Sequence, residues 1–102
     1  MAVIIPVYNG GAMLRQCLQS LAQTRVHGWE LIVVDDGSTD SSASTAIEFG
    51  ARVLQTGGTH GPASARNLGA KATNADVLFF IDADVCVKSE SVGMVQAAFV
   101  PK

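Results

Sequence analysis

Short β-branched or apolar runs alternate with amphipathic segments along the whole chain, and that alternation admits few folds. Ala2 to Val7 is the first run, and it ends in the turn signal Tyr8-Asn9-Gly10-Gly11. Leu14, Cys17, Leu18 and Leu21 then recur at helical spacing. Glu30 to Val34 reads as a second strand, closed by Asp35-Asp36-Gly37. Ser38 to Ser42 offers several N-cap residues for a helix carrying Ala43, Ala46 and Ile47. Gly50 suits the residue just past that helix, and Arg52 to Gln55 is a short third strand.

Thr56 to Gly61 is a glycine-rich loop, and Pro62 stands where the first turn of a helix would begin. Ala65, Leu68, Gly69 and Ala72 would form the buried face of that helix, small enough to approach a sheet closely. Asp76 to Ile81 is a fourth strand, apolar on both faces and therefore read as interior. Ser89 is a candidate cap for a last helix with Val92, Val95 and Phe99 on one side. Strand then helix, repeated four times, predicts a three-layer α/β/α domain on a mostly parallel sheet. Right-handed crossovers, with a reversal between the first and fourth strands, give the order 3-2-1-4.

The bulk numbers agree with one packed domain over residues 1–102: hydrophobic residues make up 48% and charged residues 16% of the chain. A net charge of −2 supplies no general attraction for nucleic acid or anionic lipid. Apolar runs such as Val77 to Ile81 fall far short of the roughly 20 residues a membrane-crossing helix needs. The opening residues lack a basic segment before Pro6, so they do not read as a signal peptide, and a cytoplasmic setting is expected. Cys17 and Cys86 read as two buried thiols rather than a disulfide, and His27 and His60 are too isolated to suggest zinc. Trp29 reads as packing at a strand start.

In an open sheet of this order, ligands bind beyond the C-terminal strand ends where the order reverses. Three polar clusters fall there: Tyr8-Asn9, Asp35-Asp36 and Asp82-Ala83-Asp84. Carboxylates gathered in one crevice need something positive among them. Asp40 and Ser41 read as helix caps, while Asp35 and Asp36 suit either a turn with Gly37 or a ligand. Asp82 and Asp84 follow an apolar strand and, at i and i+2, would point to one side, which suits Mg²⁺ or Mn²⁺. Tyr8 is open between stacking on a ligand and packing; Arg66 between a ligand contact and a surface pair. His60 reads as incidental, and Gly57 to Gly61 lacks the Lys and Ser/Thr of a P-loop.

Val3-Ile4-Ile5-Pro6-Val7-Tyr8-Asn9, Glu30 to Asp40 with Asp35-Asp36-Gly37-Ser38 at its centre, Gly61 to Gly69 with Ala65-Arg66-Asn67, and Asp82-Ala83-Asp84 together resemble the family 2 glycosyltransferases. The resemblance implies the Rossmann-like nucleotide-binding half of the GT-A fold. It also implies binding of a nucleoside-diphosphate sugar, with UDP as the expected nucleotide, for transfer to an acceptor hydroxyl. Pro6, Val7 and Tyr8 would line the nucleotide pocket, Asp36 would accept from the base, and Arg66 would lie near the diphosphate. Asp82 would contact the ribose or the metal's hydration shell, and Asp84 would ligate the metal, Mg²⁺ or Mn²⁺.

Family members are usually longer, and the base that deprotonates the acceptor is expected beyond the chain's end, since Glu90 does not match it. The acceptor itself is not readable. Three functions follow: a sugar-transferring enzyme, a binding module without turnover, or a haloacid dehalogenase-like phosphatase. The last is disfavoured because Ile81-Asp82-Ala83-Asp84-Val85 comes late in the chain. In the order 3-2-1-4 the apolar fourth strand would be an edge, so self-association through it or poor solubility is expected; membrane association is left open for a full-length parent.

Overall fold

A computed structural model describes residues 2–23, 29–82 and 99–101. The elements run β1 (Ala2–Val7), α1 (Gly11–Gln23), β2 (Glu30–Asp35), α2 (Ser42–Glu48), β3 (Arg52–Gln55), α3 (Pro62–Lys71), β4 (Val77–Phe80) and β5 (Phe99–Pro101). They form one sheet in the order β3-β2-β1-β4-β5. The first four strands are parallel, in the expected order 3-2-1-4, and β5 pairs antiparallel with β4.

Alternation along β1 divides the core between the two faces of the sheet, because successive side chains point to opposite sides. Val3, Ile5 and Val7 pack with Leu14, Cys17 and Leu18 of α1 and Ala46 of α2. Ala2 and Ile4 pack on the other face with Ala65 of α3. Cys17 is fully buried, and Trp29 stacks on Phe79 with ring centroids 6.0 Å apart. Gly69 brings α3 close: a Cβ there would lie 2.6 Å from Ile4 Cγ2 and 3.2 Å from Val34 Cγ2. The expected face of that helix is therefore the one that packs.

Expectations at the fourth strand and in α2 are corrected. The fourth strand is not an edge, because β5 covers its outer side, and Phe99 lies in that strand rather than in a helix. A short antiparallel return satisfies the backbone groups that an open edge would expose, which removes the reason for self-association through β4. In α2 the stripe is also displaced: Ser42, Thr45 and Ala46 are buried, while Ile47 is 65% exposed. The cause is polar. Ser42 turns inward to accept the Gly10 N–H, and this sets the rotation of the short helix. Ser41 makes no side-chain cap bond; Asp40 receives the Ser42 N–H instead. Ser89, Val92 and Val95 lie outside the described residues, as do Cys86, His27 and Glu90.

Candidate functional site

Pro6 opens the sheet where the strand order reverses. The Ile81 N–H donates to the Ile4 carbonyl, and the Asp36 N–H to that of Val7. Ile4 therefore faces β4 and Val7 faces β2, and Pro6, two residues after Ile4, faces β4 as well. Proline has no N–H to give, and the β1–β4 pairing ends at Ile4 and Phe80 while β1 and β2 stay paired to Val7 and Asp35. The strands part at that point. A cavity of about 210 Å³ lies there, lined by Pro6, Val7, Tyr8, Asp36, Pro62, Ala65 and Asp82. Five of the six residues expected to bind a nucleotide thus share one cavity.

The loops around it are tied by side chain to backbone bonds. Asn9 sits at φ +50°, a conformation asparagine tolerates, and accepts the Thr39 N–H at 2.8 Å. Its own N–H donates to Ser38 Oγ at 2.8 Å, and the Gly11 N–H donates to Asp40 Oδ2 at 3.1 Å. Asp35 accepts the Ser38 N–H at 3.0 Å, closing the turn after β2. Asp40 is held below the ordinary carboxylate value, first by the Ser42 hydroxyl and also by backbone N–H groups of Ser42 and Gly11, against a cost of burial.

Asp36 is the hub. It is 4% exposed, and its Oδ1 accepts from Thr56 Oγ1 at 2.7 Å and from the His60 N–H at 2.9 Å. Its Oδ2 accepts the Gly61 N–H at 2.8 Å. The Thr56 hydroxyl is the main cause holding this carboxylate below its ordinary value; the His60 and Gly61 N–H groups and the nearby imidazole add to it, while burial opposes it. Gly37, at φ +86°, lets the Asp36 turn meet that loop: a Cβ there would lie 2.9 Å from the Gly58 carbonyl oxygen. Of the Asp pair, Asp35 closes the turn and Asp36 faces the cavity.

Tyr8 is 54% exposed beside the cavity, so its ring is not consumed by packing. Asp82 and Arg66 form an ion pair at 3.4 Å, with side chains 52% and 39% exposed. That is longer than a strong charge-assisted bond, and such exposed pairs contribute little. Arg66 does not line the cavity but is held at its margin by a residue that does. Among the described residues no group of three potential metal ligands occurs, and Asp84 lies outside them. The donor chemistry at Asp82 fits a hard divalent cation: an exposed carboxylate at the cavity, loosely paired. The arrangement offers a carboxylate acceptor inside, an aromatic ring and an exposed carboxylate at the margin, and a guanidinium within reach of an anion.

Sequence reasoning missed Thr56, and read His60 as incidental although its backbone N–H holds Asp36. The glycine-rich loop was visible, but a bond between residues 20 apart carries no local signal. Pro62 and Ala65 were read as helix residues and also line the cavity, because α3 begins at it.

Comparison with known proteins agrees with this fold. The family described as Glycosyl transferase family 2 matches residues 2–100. Glycosyltransferase GlyG of Streptococcus pneumoniae serotype 4 is 31% identical over 89% of the chain, which spans 32% of that protein. Validoxylamine A glucosyltransferase of Streptomyces hygroscopicus subsp. jinggangensis is 36% identical over 96% of the chain, which spans 25% of that protein. Among solved structures, S. aureus TarS 1-349 in complex with UDP-GlcNAc superposes with a TM-score of 0.76 at 30% identity, covering 81% of this chain and 26% of that one. Glucosyl-3-phosphoglycerate synthase from Mycobacterium tuberculosis, solved with Mn²⁺, UDP and glucosyl-3-phosphoglycerate, gives 0.70 at 33% identity, covering 80% and 32%.

Proposed function

The chain belongs to glycosyl transferase family 2, and from that premise we propose that residues 1–102 form the donor-binding domain of a sugar-transferring enzyme. The ligand is a nucleoside-diphosphate sugar, and UDP is the nucleotide favoured. The observation that carries this reading is the cavity at the β1–β4 parting, which gathers Pro6, Val7, Tyr8, Asp36 and Asp82. UDP-GlcNAc and UDP with Mn²⁺ are bound by the two solved relatives named above.

In this reading Asp36 accepts a ring N–H of the base, Tyr8 stacks on it, and Pro6 and Val7 form the apolar floor. Asp82 receives a ribose hydroxyl, and Arg66 leaves its loose pair to meet the diphosphate. Asp82 and Asp84 would hold Mg²⁺ or Mn²⁺, which offsets negative charge on the diphosphate as the glycosidic bond breaks. The glycosyl carbon passes to an acceptor hydroxyl, whose proton goes to a base. One inner carboxylate and one at the margin, against the arginine beside them, give the cavity itself no surplus positive charge, which is why a cation belongs to this reading.

Calorimetry of UDP binding with and without Mn²⁺, on the wild type and on Asp84→Ala, tests it. Binding that strengthens with Mn²⁺ and loses that gain in Asp84→Ala is the expected result. Undetectable UDP binding, or binding indifferent to both metal and Asp84, sinks the proposal.

A further inference from the structure

Among the described residues three donors reach Asp36, and one of them, Thr56, comes from a side chain. The His60 and Gly61 N–H groups follow the path of the loop into α3, whereas the Thr56 hydroxyl is a separate chemical choice at the end of β3. A carboxylate has about four lone-pair positions. Thr56 and His60 occupy two on Oδ1, Gly61 occupies one on Oδ2, and the position left over is on Oδ2, on a side chain that lines the cavity. Thr56 Oγ1 also lies 2.6 Å from the Gly58 carbonyl oxygen, so its single proton is shared between the carboxylate and the glycine loop.

We propose that Thr56 is a positioning residue for donor recognition: its hydroxyl fixes the rotation of the Asp36 carboxylate so that the remaining Oδ2 lone pair meets a ring N–H of the nucleotide base. This deepens the nucleoside-diphosphate reading and rests on it. The chemistry selects a base with an N–H at its pairing edge, such as uracil, over cytosine, which presents an acceptor at the same position. Through Gly58 the same hydroxyl couples the carboxylate to the loop that starts α3, and thus to the cavity wall at Pro62 and Ala65.

A purely structural threonine would change stability without changing how binding responds to pH. Losing the hydroxyl removes a donor that favours the ionised carboxylate, so Asp36 would protonate at higher pH and accept a base N–H less well there. Among the described residues, the titratable and charged groups around it are the Asp35 carboxylate turned to Ser38, the His60 imidazole in the loop, and the Asp82–Arg66 pair at the cavity. None of these is altered by substitution at Thr56.

The test compares UDP binding by calorimetry across pH for the wild type, Thr56→Val and Thr56→Ser. Thr56→Val is expected to bind UDP about tenfold more weakly at neutral pH. Its affinity should also fall away at higher pH than the wild type's as the solution is acidified, and Thr56→Ser should restore both properties. Equal affinity and an unchanged pH profile in Thr56→Val overturn the proposal, as does a serine variant as weak as the valine one. Carbon-13 NMR of the Asp36 carboxyl, without ligand, separates this result from failure of the nucleotide reading. An Asp36 midpoint raised in Thr56→Val and restored in Thr56→Ser supports the positioning role even if UDP does not bind, and an unmoved midpoint overturns it. Thr56→Ala is run alongside in case the valine variant does not fold. Should neither fold, a Thr56 hydroxyl proton protected from solvent exchange in the wild type supports the role, and one exchanging freely overturns it.

Discussion

Two corners of one cavity are built on opposite plans. At the Asp36 corner a carboxylate that is 4% exposed takes three donors from the loop between β3 and α3. At the Asp82 corner a carboxylate that is 52% exposed pairs, among the described residues, with Arg66 at 3.4 Å. Burial demands the first arrangement, because a buried charge without hydrogen bonds is costly. Exposure permits the second, since water solvates what Arg66 does not. The lesson is about function. In the proposed reading, a corner already satisfied by the protein would recognise a ligand by shape and by a remaining acceptor position, while a loosely paired corner would exchange its partner for a ligand or a cation.

The largest expected effect breaks the rigid corner at Gly37. An alanine there must adopt a φ near +86° and place its Cβ 2.9 Å from the Gly58 backbone. Left-handed strain and the clash together should cost about 3 kcal/mol of stability. Urea denaturation of Gly37→Ala measures this, and a loss within error of zero would mean that the Asp36 turn and the glycine loop are not in contact. The same substitution at Gly50, where φ is +80° and nothing lies within 4 Å, serves as the comparison, because it carries the strain without the clash.

That contrast also marks what the chain's pattern makes legible and what it hides. The parallel strands and the face of α3 follow from periodicity, which depends on residues a few positions apart, and the strand order follows from the handedness of the crossovers. Pro6, Val7, Tyr8, Asp36 and Asp82 are legible as a cluster because strand ends at a switch point converge on one place whatever the details. The α2 face is not legible, because the Ser42 to Gly10 bond that rotates it joins residues 32 apart. Neither is the fate of the β4 edge, which depends on a three-residue strand, Phe99–Pro101, too short to announce itself beside a helical pattern. Polar contacts between distant loops carry no period, and they decide how the site is finished.

Acidification should loosen the Asp36 corner. Asp36 in the folded chain is held below its unfolded value, chiefly by the Thr56 hydroxyl, so the stability it contributes is present above the ordinary carboxylate range. It is lost as pH falls through that range towards the folded value. Asp40, held low by Ser42, and Glu48, held low by Arg15 at 2.7 Å, act in the same direction. Urea midpoints followed from neutral to acid pH should therefore fall, and in Asp36→Asn the fall should be shallower, the two curves drawing together in acid. Parallel curves would mean that the ionised form of Asp36 is not what holds the glycine loop.

The smallest effect belongs to the loose corner. Arg66 and Asp82 are both more than a third exposed, so their mutual attraction is largely screened. A double-mutant cycle with Arg66→Ala and Asp82→Asn should give a coupling to stability below about 1 kcal/mol. The same two residues should matter far more to a ligand than to the fold, because an anion at Arg66 or a cation at Asp82 meets a charge that the protein has not committed elsewhere. A coupling near that of a buried pair would show that Asp82 is occupied by Arg66 in the resting fold, and the two corners would then differ in exposure but not in plan.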